Sequence, residues 1–150
     1  MATTEKSSKK NTESGQVFNR AISLRRRIAS PQQFERALDE IRTLETLREG
    51  WDSYNAPAIA PEARSRACAF MTMLATHLGS RVSLPVIGPT PAGGVMLRWD
   101  DSNREVEVTF LRTGGVYSIV DGETGEVVQE GDVGRPEGVL RAIQPYIRSS

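Results

Sequence analysis

The residues that could act as nucleophiles or as transition-metal ligands are few in this chain. It has one cysteine, Cys68, and one histidine, His77. They lie nine positions apart in a segment with helical periodicity, which predicts opposite faces and a separation of about 13 Å along the axis. A Ser-His-Asp or Cys-His site requires an imidazole beside the nucleophile, so neither is expected. The common zinc sites also need more Cys and His ligands than these two.

Carboxylates are the remaining candidates for chemistry. Asp100 and Asp101 lie in one predicted turn, and Glu105 and Glu107 lie on one face of the following strand. Such a cluster could bind a divalent cation or act as an acid/base pair, which leaves a carboxylate-dependent hydrolase as a distant alternative. We favour a solvated strand face, because the alternation with Val106 and Val108 already explains both glutamates. We therefore expect no catalytic residue, no metal site and no cofactor.

Basic residues are concentrated at the N-terminus. Residues 1–30 carry seven Lys/Arg and two Asp/Glu, so this part has a charge of +5 and the rest of the neutral chain has −5. Arginines there could contact nucleic-acid phosphates without sequence specificity, although no helix-turn-helix, zinc or stacking-aromatic motif accompanies them. Nucleic-acid binding is thus the alternative function, and a solvated helix face is the other interpretation of Arg20, Arg25, Arg26 and Arg27.

The composition divides the 150 residues into three parts. Residues 1–15 are polar and predict a disordered tail. Residues 16–30 predict a basic amphipathic helix, and residues 31–150 predict a single α+β domain. No apolar run approaches the roughly 18 residues of a membrane span, and the first residues lack the apolar block of a signal peptide. With its single cysteine, we expect a cytoplasmic protein with no membrane partner.

Three helices are predicted in the α+β domain. Ser30, Pro31 and Gln33 form a capping-box pattern, which predicts a helix that begins at Pro31 and stops at Gly50. The second helix is predicted from Pro61 to Gly79. The third is predicted from Pro136 to Ile147, and Pro145 should kink or end it.

The hydrophobic period changes from 3.6 to 2 after Gly79, which predicts strands. A hairpin that turns at Ser102-Asn103 would pair Trp99 with Val106, and the pairs Leu97 with Val108 and Val95 with Phe110 would follow. Further strands are predicted around Tyr117 and Ile119 and around Val127 and Val128. An edge strand is predicted at residues 82–87, where Pro85 excludes a central position.

The predicted fold is α+β, with an antiparallel β-meander of three to five strands and two or three helices packed on one face. The second face is unusually apolar for a surface in contact with water, which predicts a protein–protein surface. The C-terminal helix, a second copy of the chain or a foreign partner would cover it. Its apolar residues are Met96, Leu111, Val116, Val120 and Val127.

A connector with two aromatic residues joins the first two helices. Its pattern is Gly50-Trp51-Asp52-x-Tyr54-x-Ala56-x-x-Ile59-x-Pro61-Glu62-Ala63, and later comes Pro89-Thr90-Pro91-x-Gly93-Gly94-Val95-x-Leu97-x-Trp99. These motifs resemble a widespread family of small bacterial and phage proteins with no assigned activity, over about residues 47–120. The resemblance implies a shared α+β fold and supplies no catalytic residue. Members commonly have Gly where Ser53 or Asn55 stands, and Ser where Ala60 stands.

The connector has two interpretations. In the first, Trp51 packs between the helices and the sheet while Asp52 accepts hydrogen bonds from nearby backbone amides. In the second, Trp51, Asp52 and Tyr54 contact a ligand, because rigid aromatic loops also form binding hot spots.

Taken together, the sequence predicts a non-enzymatic protein–protein interaction module. An adaptor, an antitoxin or immunity-like partner, or a phage-associated inhibitor would fit this description. The protein partner is not identified by the sequence, and a homodimer is one alternative.

Overall fold

The computed structural model describes residues 30–101 and 103–148. The predicted tail of residues 1–15 lies outside the described residues. So does the predicted basic helix apart from Ser30, and with it Arg20, Arg25, Arg26 and Arg27. All strand and helix assignments below concern the described residues.

Helix α1 spans Pro31–Thr43 and begins as predicted. The Ser30 hydroxyl accepts a hydrogen bond from the Gln33 backbone amide at 3.2 Å, and the Gln33 side chain accepts one from the Ser30 amide at 2.7 Å. This reciprocal pair satisfies two backbone donors at the helix start.

The predicted end of α1 at Gly50 is wrong. The α-helix ends at Thr43 and tightens into a 3-10 turn over Leu44–Thr46. Two threonine hydroxyls bind backbone carbonyls there: Thr43 donates to Asp39 at 2.7 Å, and Thr46 donates to Thr43 at 2.8 Å. Such local bonds compete with helical ones, and the chain becomes extended at Leu47, so Gly50 belongs to the connector.

Helix α2 spans Pro61–Leu78, in agreement with the prediction. Ala60 provides no side-chain cap, and Pro61 occupies the first turn, where a missing N–H costs nothing. Gly79 ends the helix with a φ of 57°. Its buried side chains recur at helical spacing and lie on one face: Ala63, Ala67, Phe70, Met71, Leu74 and Leu78.

Five strands form one antiparallel sheet in the order β1-β2-β3-β4-β5. The fold is therefore α+β with a meander sheet, as predicted. The register of the central hairpin is also confirmed: Trp99 lies opposite Val106, Leu97 opposite Val108 and Val95 opposite Phe110. The strands are β1 Val86–Pro89, β2 Val95–Asp100, β3 Arg104–Leu111, β4 Gly114–Asp121 and β5 Val127–Asp132.

The edges of the sheet differ from the prediction. Strand β1 begins at Val86, because Pro85 has no N–H to give to a ladder. Val82 is instead fully buried and forms an isolated bridge with Arg148. Strand β5 is longer than expected and contains an irregularity in its pairing beside Ile119 and Val120.

Helix α3 spans Pro136–Ile147, so Pro145 does not end it. Its buried residues Val139, Leu140, Ile143 and Ile147 join the same hydrophobic cluster as α1, α2 and the apolar face of the sheet. The helix therefore packs on the face that bears Leu97 and Val108. The idea that the C-terminal helix covers the second face of the sheet is wrong.

Hydrophobic burial is concentrated on one side of the sheet. The core cluster contains the strand residues Val95, Leu97, Trp99, Val106, Val108, Phe110 and Ile119, and Tyr117 packs against it. The Trp99 indole N–H donates to the Ser83 carbonyl at 2.8 Å, which satisfies its polar group inside the core. None of the described helices is long and apolar enough to span a membrane.

Candidate functional site

The second face of the sheet, here called the open face, is the most unusual surface of the described chain. Along β2, β3 and β4 its side chains alternate with residues of the core face. None of them is buried, and Val86, Val116 and Val127 are 38%, 47% and 54% exposed. The open face consists of Val86, Gly88, Met96, Arg98, Asp100, Glu105, Glu107, Thr109, Leu111, Val116, Ser118, Val120, Val127, Glu130 and Asp132.

The strand register brings the five predicted apolar residues onto this one face. Val120 lies opposite Val127 on β5. Val116 lies four residues before Val120 on β4, so both side chains point to the same face of the sheet. Met96 and Val116 both flank Thr109, on either side of β3. None of these residues packs against the core cluster.

Two further exposed valines were missed by the sequence reasoning. Val86 was expected in the middle of an edge strand and instead begins β1 on the open face. Val128 was expected as an ordinary strand residue, but it is 51% exposed where the β4–β5 register shifts. The sequence does not locate this irregularity, because either Val127 or Val128 could lie opposite Val120 on β4.

The charges of the open face are only partly compensated. Arg98 forms salt bridges with Asp100, at 3.3 Å, and with Glu105. Burial alone would lower the pKa of Arg98, but Asp100, Glu105 and Glu107 outweigh it and raise the pKa. The candidate catalytic glutamates are therefore part of a solvated, partly paired strand face.

Three carboxylates of this face, Glu107, Glu130 and Asp132, form no salt bridge among the described residues. Glu107 and Glu130 lie on either side of Ser118, and Asp132 lies opposite Val116. With five carboxylates and one guanidinium, the open face has a net charge of −4. Aliphatic side chains and uncompensated acids thus share β3, β4 and β5.

The connector is a closed loop fixed by backbone hydrogen bonds. The Gly50 amide donates to the Ala56 carbonyl at 2.7 Å, and one Asp52 oxygen accepts from the Tyr54 and Ala56 amides at 2.9 and 3.0 Å. These two bonds hold the pKa of Asp52 below its ordinary value. Ser53 and Asn55 have φ of 70° and 74°, which explains why glycine suits these positions.

Trp51 and Tyr54 have different environments. Trp51 is partly buried against the core, and its indole N–H donates to the Pro57 carbonyl at 2.9 Å. Tyr54 is 84% exposed at the tip of the loop. The Ala60 amide donates to the Gly93 carbonyl at 2.9 Å, so the connector is anchored to the β1–β2 turn. Trp51 is a packing residue, and Tyr54 is the exposed aromatic residue of the loop.

Cys68 and His77, the residues first considered for chemistry, both lie on α2. His77 is exposed, and its Nδ1 lies 3.0 Å from the Met73 carbonyl of the preceding turn. Burial raises the pKa of the Cys68 thiol, which disfavours the reactive thiolate. Within residues 30–101 and 103–148, no group of three or more His, Cys, Asp or Glu could hold a metal ion.

A polar cleft of about 390 Å³ was not anticipated from the sequence. Arg104 pairs with Asp121 there at 3.1 Å, and Asp121 also accepts hydrogen bonds from the Glu123 and Thr124 amides, which lower its pKa. These contacts organise the β4–β5 turn and account for the polar lining. The cleft is lined by Asp101, Asn103, Arg104, Asp121, Glu123, Pro145 and Tyr146.

Comparison of the chain with protein-family models, with curated proteins and with solved structures finds no match. The open face and the connector are therefore the features from which a function can be inferred.

Proposed function

We propose that this protein is a non-enzymatic interaction module that binds another protein with its open face. The observation that carries the proposal is the one-sided packing of the sheet. The three helices of the described chain all pack on the face that bears Leu97 and Val108, and the opposite face has exposed valines. An antiparallel sheet that faces water usually has polar side chains on that face.

The composition of the open face supports a protein partner. Contiguous exposed aliphatic side chains bordered by polar residues are typical of protein–protein contact surfaces. The net charge of −4 makes the same face unfavourable for nucleic-acid phosphates. Nucleic-acid binding would thus require Arg20, Arg25, Arg26 and Arg27, which lie outside the described residues.

An adaptor, an antitoxin or immunity-like protein, and a phage-associated inhibitor all act through such contacts, and the proposal covers these classes. A lone, partly buried thiol suits a reducing compartment, so we propose that the protein works in the cytoplasm. The connector, with Tyr54 exposed on a fixed loop, is a secondary contact of the same module.

The double substitution Val116→Asp/Val120→Asp tests the proposal. It places two charges on the open face at positions outside the core, so the variant should fold. The matched control, Ser65→Asp/Ala69→Asp, adds the same charge at exposed positions of α2. Each tagged protein is used to capture partners from cells, and the recovered proteins are quantified by mass spectrometry.

We expect the control to retain the partners of the parent protein and the open-face variant to lose them by at least tenfold, as for charges placed in an apolar contact. Circular dichroism and thermal unfolding verify that both variants fold. Equal recovery by all three proteins would refute the proposed function.

A further inference from the structure

The unpaired acids and the exposed valines of the open face lie together at one side of the sheet. Glu107 is on β3, Val116 and Val120 are on β4, and Glu130 and Asp132 are on β5. The described residues give these three acids no salt-bridge partner. A ligand that matches this patch must carry several positive charges beside aliphatic side chains.

The chain itself contains a segment with that composition. Residues 16–29 contain Arg20, Arg25, Arg26 and Arg27 and no Asp or Glu, so their charge is +4. Val17, Ala21, Leu24 and Ile28 accompany the arginines. The charge of this segment is equal and opposite to the charge of the open face.

The same copy of the chain cannot bring all of these arginines to the patch. Residues 16–29 join α1 at Ser30, and α1 packs against β1, on the helical side of the sheet. Arg26 lies at most about 15 Å of extended chain from Ser30, and its side chain adds about 6 Å. The path to β4 requires about 10 Å between layers and about 14 Å across three strand spacings. Arg26 and Arg27 therefore fall short of β4 in their own copy, so one copy cannot pair all four arginines with its own patch.

We propose that the open face binds the basic segment, residues 16–29, of a second copy of this chain. The inference rests on the proposed function, because it names the partner of the same face. Two copies exchange their segments, so that each face receives one segment, as in a two-fold dimer. The contact combines aliphatic burial with charge pairing, which makes it sensitive to salt.

Charge reversal on each side separately tests the proposal with the full-length chain. One variant is Arg25→Glu/Arg26→Glu/Arg27→Glu, and the other is Glu107→Lys/Glu130→Lys/Asp132→Lys. The matched control, Glu35→Lys/Glu40→Lys/Glu62→Lys, reverses three exposed acids of α1 and α2. Sedimentation velocity at about 50 mM salt measures the mass of each protein and of mixtures, with circular dichroism as the folding check.

The parent chain and the control should be dimers at about 50 mM salt and should dissociate as salt rises. Each reversed variant alone should be a monomer, because like charges then meet at the contact. Mixing the two reversed variants in equal amounts should restore a dimer, since both of its exchanged contacts then have opposite charges. The arginine variant changes none of the described core residues, and circular dichroism distinguishes a loss of dimer from a failure to fold.

A monomeric parent chain, a dimer that survives both reversals, or a mixture that stays monomeric would each overturn the inference. The proposed function can be refuted separately from this inference. If the chain is monomeric but loses a captured partner on Val116→Asp/Val120→Asp, the inference is wrong and the function stands. If the face variant changes neither dimerisation nor capture, both are wrong.

Discussion

Asp52 shows how much a single side chain determines in the connector. Its type and place, just after Gly50-Trp51, predict an acceptor for local backbone amides, and the bonds to Tyr54 and Ala56 confirm this. The exposure of Tyr54 and the partial burial of Trp51 are harder to predict. Both are aromatic residues in one loop, and only the path of the backbone decides which of them faces the core.

The pKa of Asp52 gives a test of its role. Because the folded-state pKa is below the ordinary value of 3.8, the charged form stabilises the fold above that pH, and the contribution is lost as the pH falls through the folded pKa. Asp52→Asn keeps an acceptor oxygen without the charge. We expect the parent to melt higher than the variant at about pH 6, with a difference that shrinks below pH 3.8. A difference independent of pH would contradict this role.

The two connector aromatics should respond differently to truncation. Trp51→Ala removes a partly buried side chain that packs on the core and donates to Pro57, so it should cost about 2 to 4 kcal/mol. Tyr54→Ala removes an exposed side chain and should change the free energy of unfolding by less than about 0.5 kcal/mol. Urea denaturation of both variants measures these values, and similar costs would show that the environments are misassigned.

For the helices and strands, the sequence predicts those features that interactions between nearby residues determine. The start of α1 follows from Ser30 and Gln33, and the β2–β3 register follows from the alternation that pairs Trp99 with Val106. The location of α3 does not follow in this way. Its apolar stripe can pack on either face of a sheet. Which face it covers depends on where the other helices leave apolar surface exposed.

Truncation in α3 checks its packing. Ile143 is fully buried in the common core, so Ile143→Ala should cost about 2 to 5 kcal/mol. Val127→Ala on the open face should cost less than about 0.5 kcal/mol, since that valine is 54% exposed. Guanidinium denaturation compares the two variants. If Ile143→Ala lowers the free energy of unfolding as little as Val127→Ala does, α3 is not part of the core.

For the whole molecule, the sequence predicted the fold class and an apolar second face of the sheet. It could not predict that the described helices all pack on the other face, because the C-terminal helix could equally have covered this one. The sequence also did not predict which acids are unpaired: Arg98 forms salt bridges with Asp100 and Glu105, and Glu107 forms none with any residue in 30–101 or 103–148. Which charges remain available depends on side-chain geometry across three strands.

The central claim is that a protein covers the open face. Hydroxyl-radical footprinting of captured complexes tests it most directly, because methionine oxidation reports the exposure of its side chain. Met96 lies on the open face, and Met73 on α2 is the internal control. Met96 should oxidise at least several-fold more slowly in complexes of the parent chain than in the Val116→Asp/Val120→Asp variant, with Met73 unchanged. Equal oxidation of Met96 in both would contradict the claim.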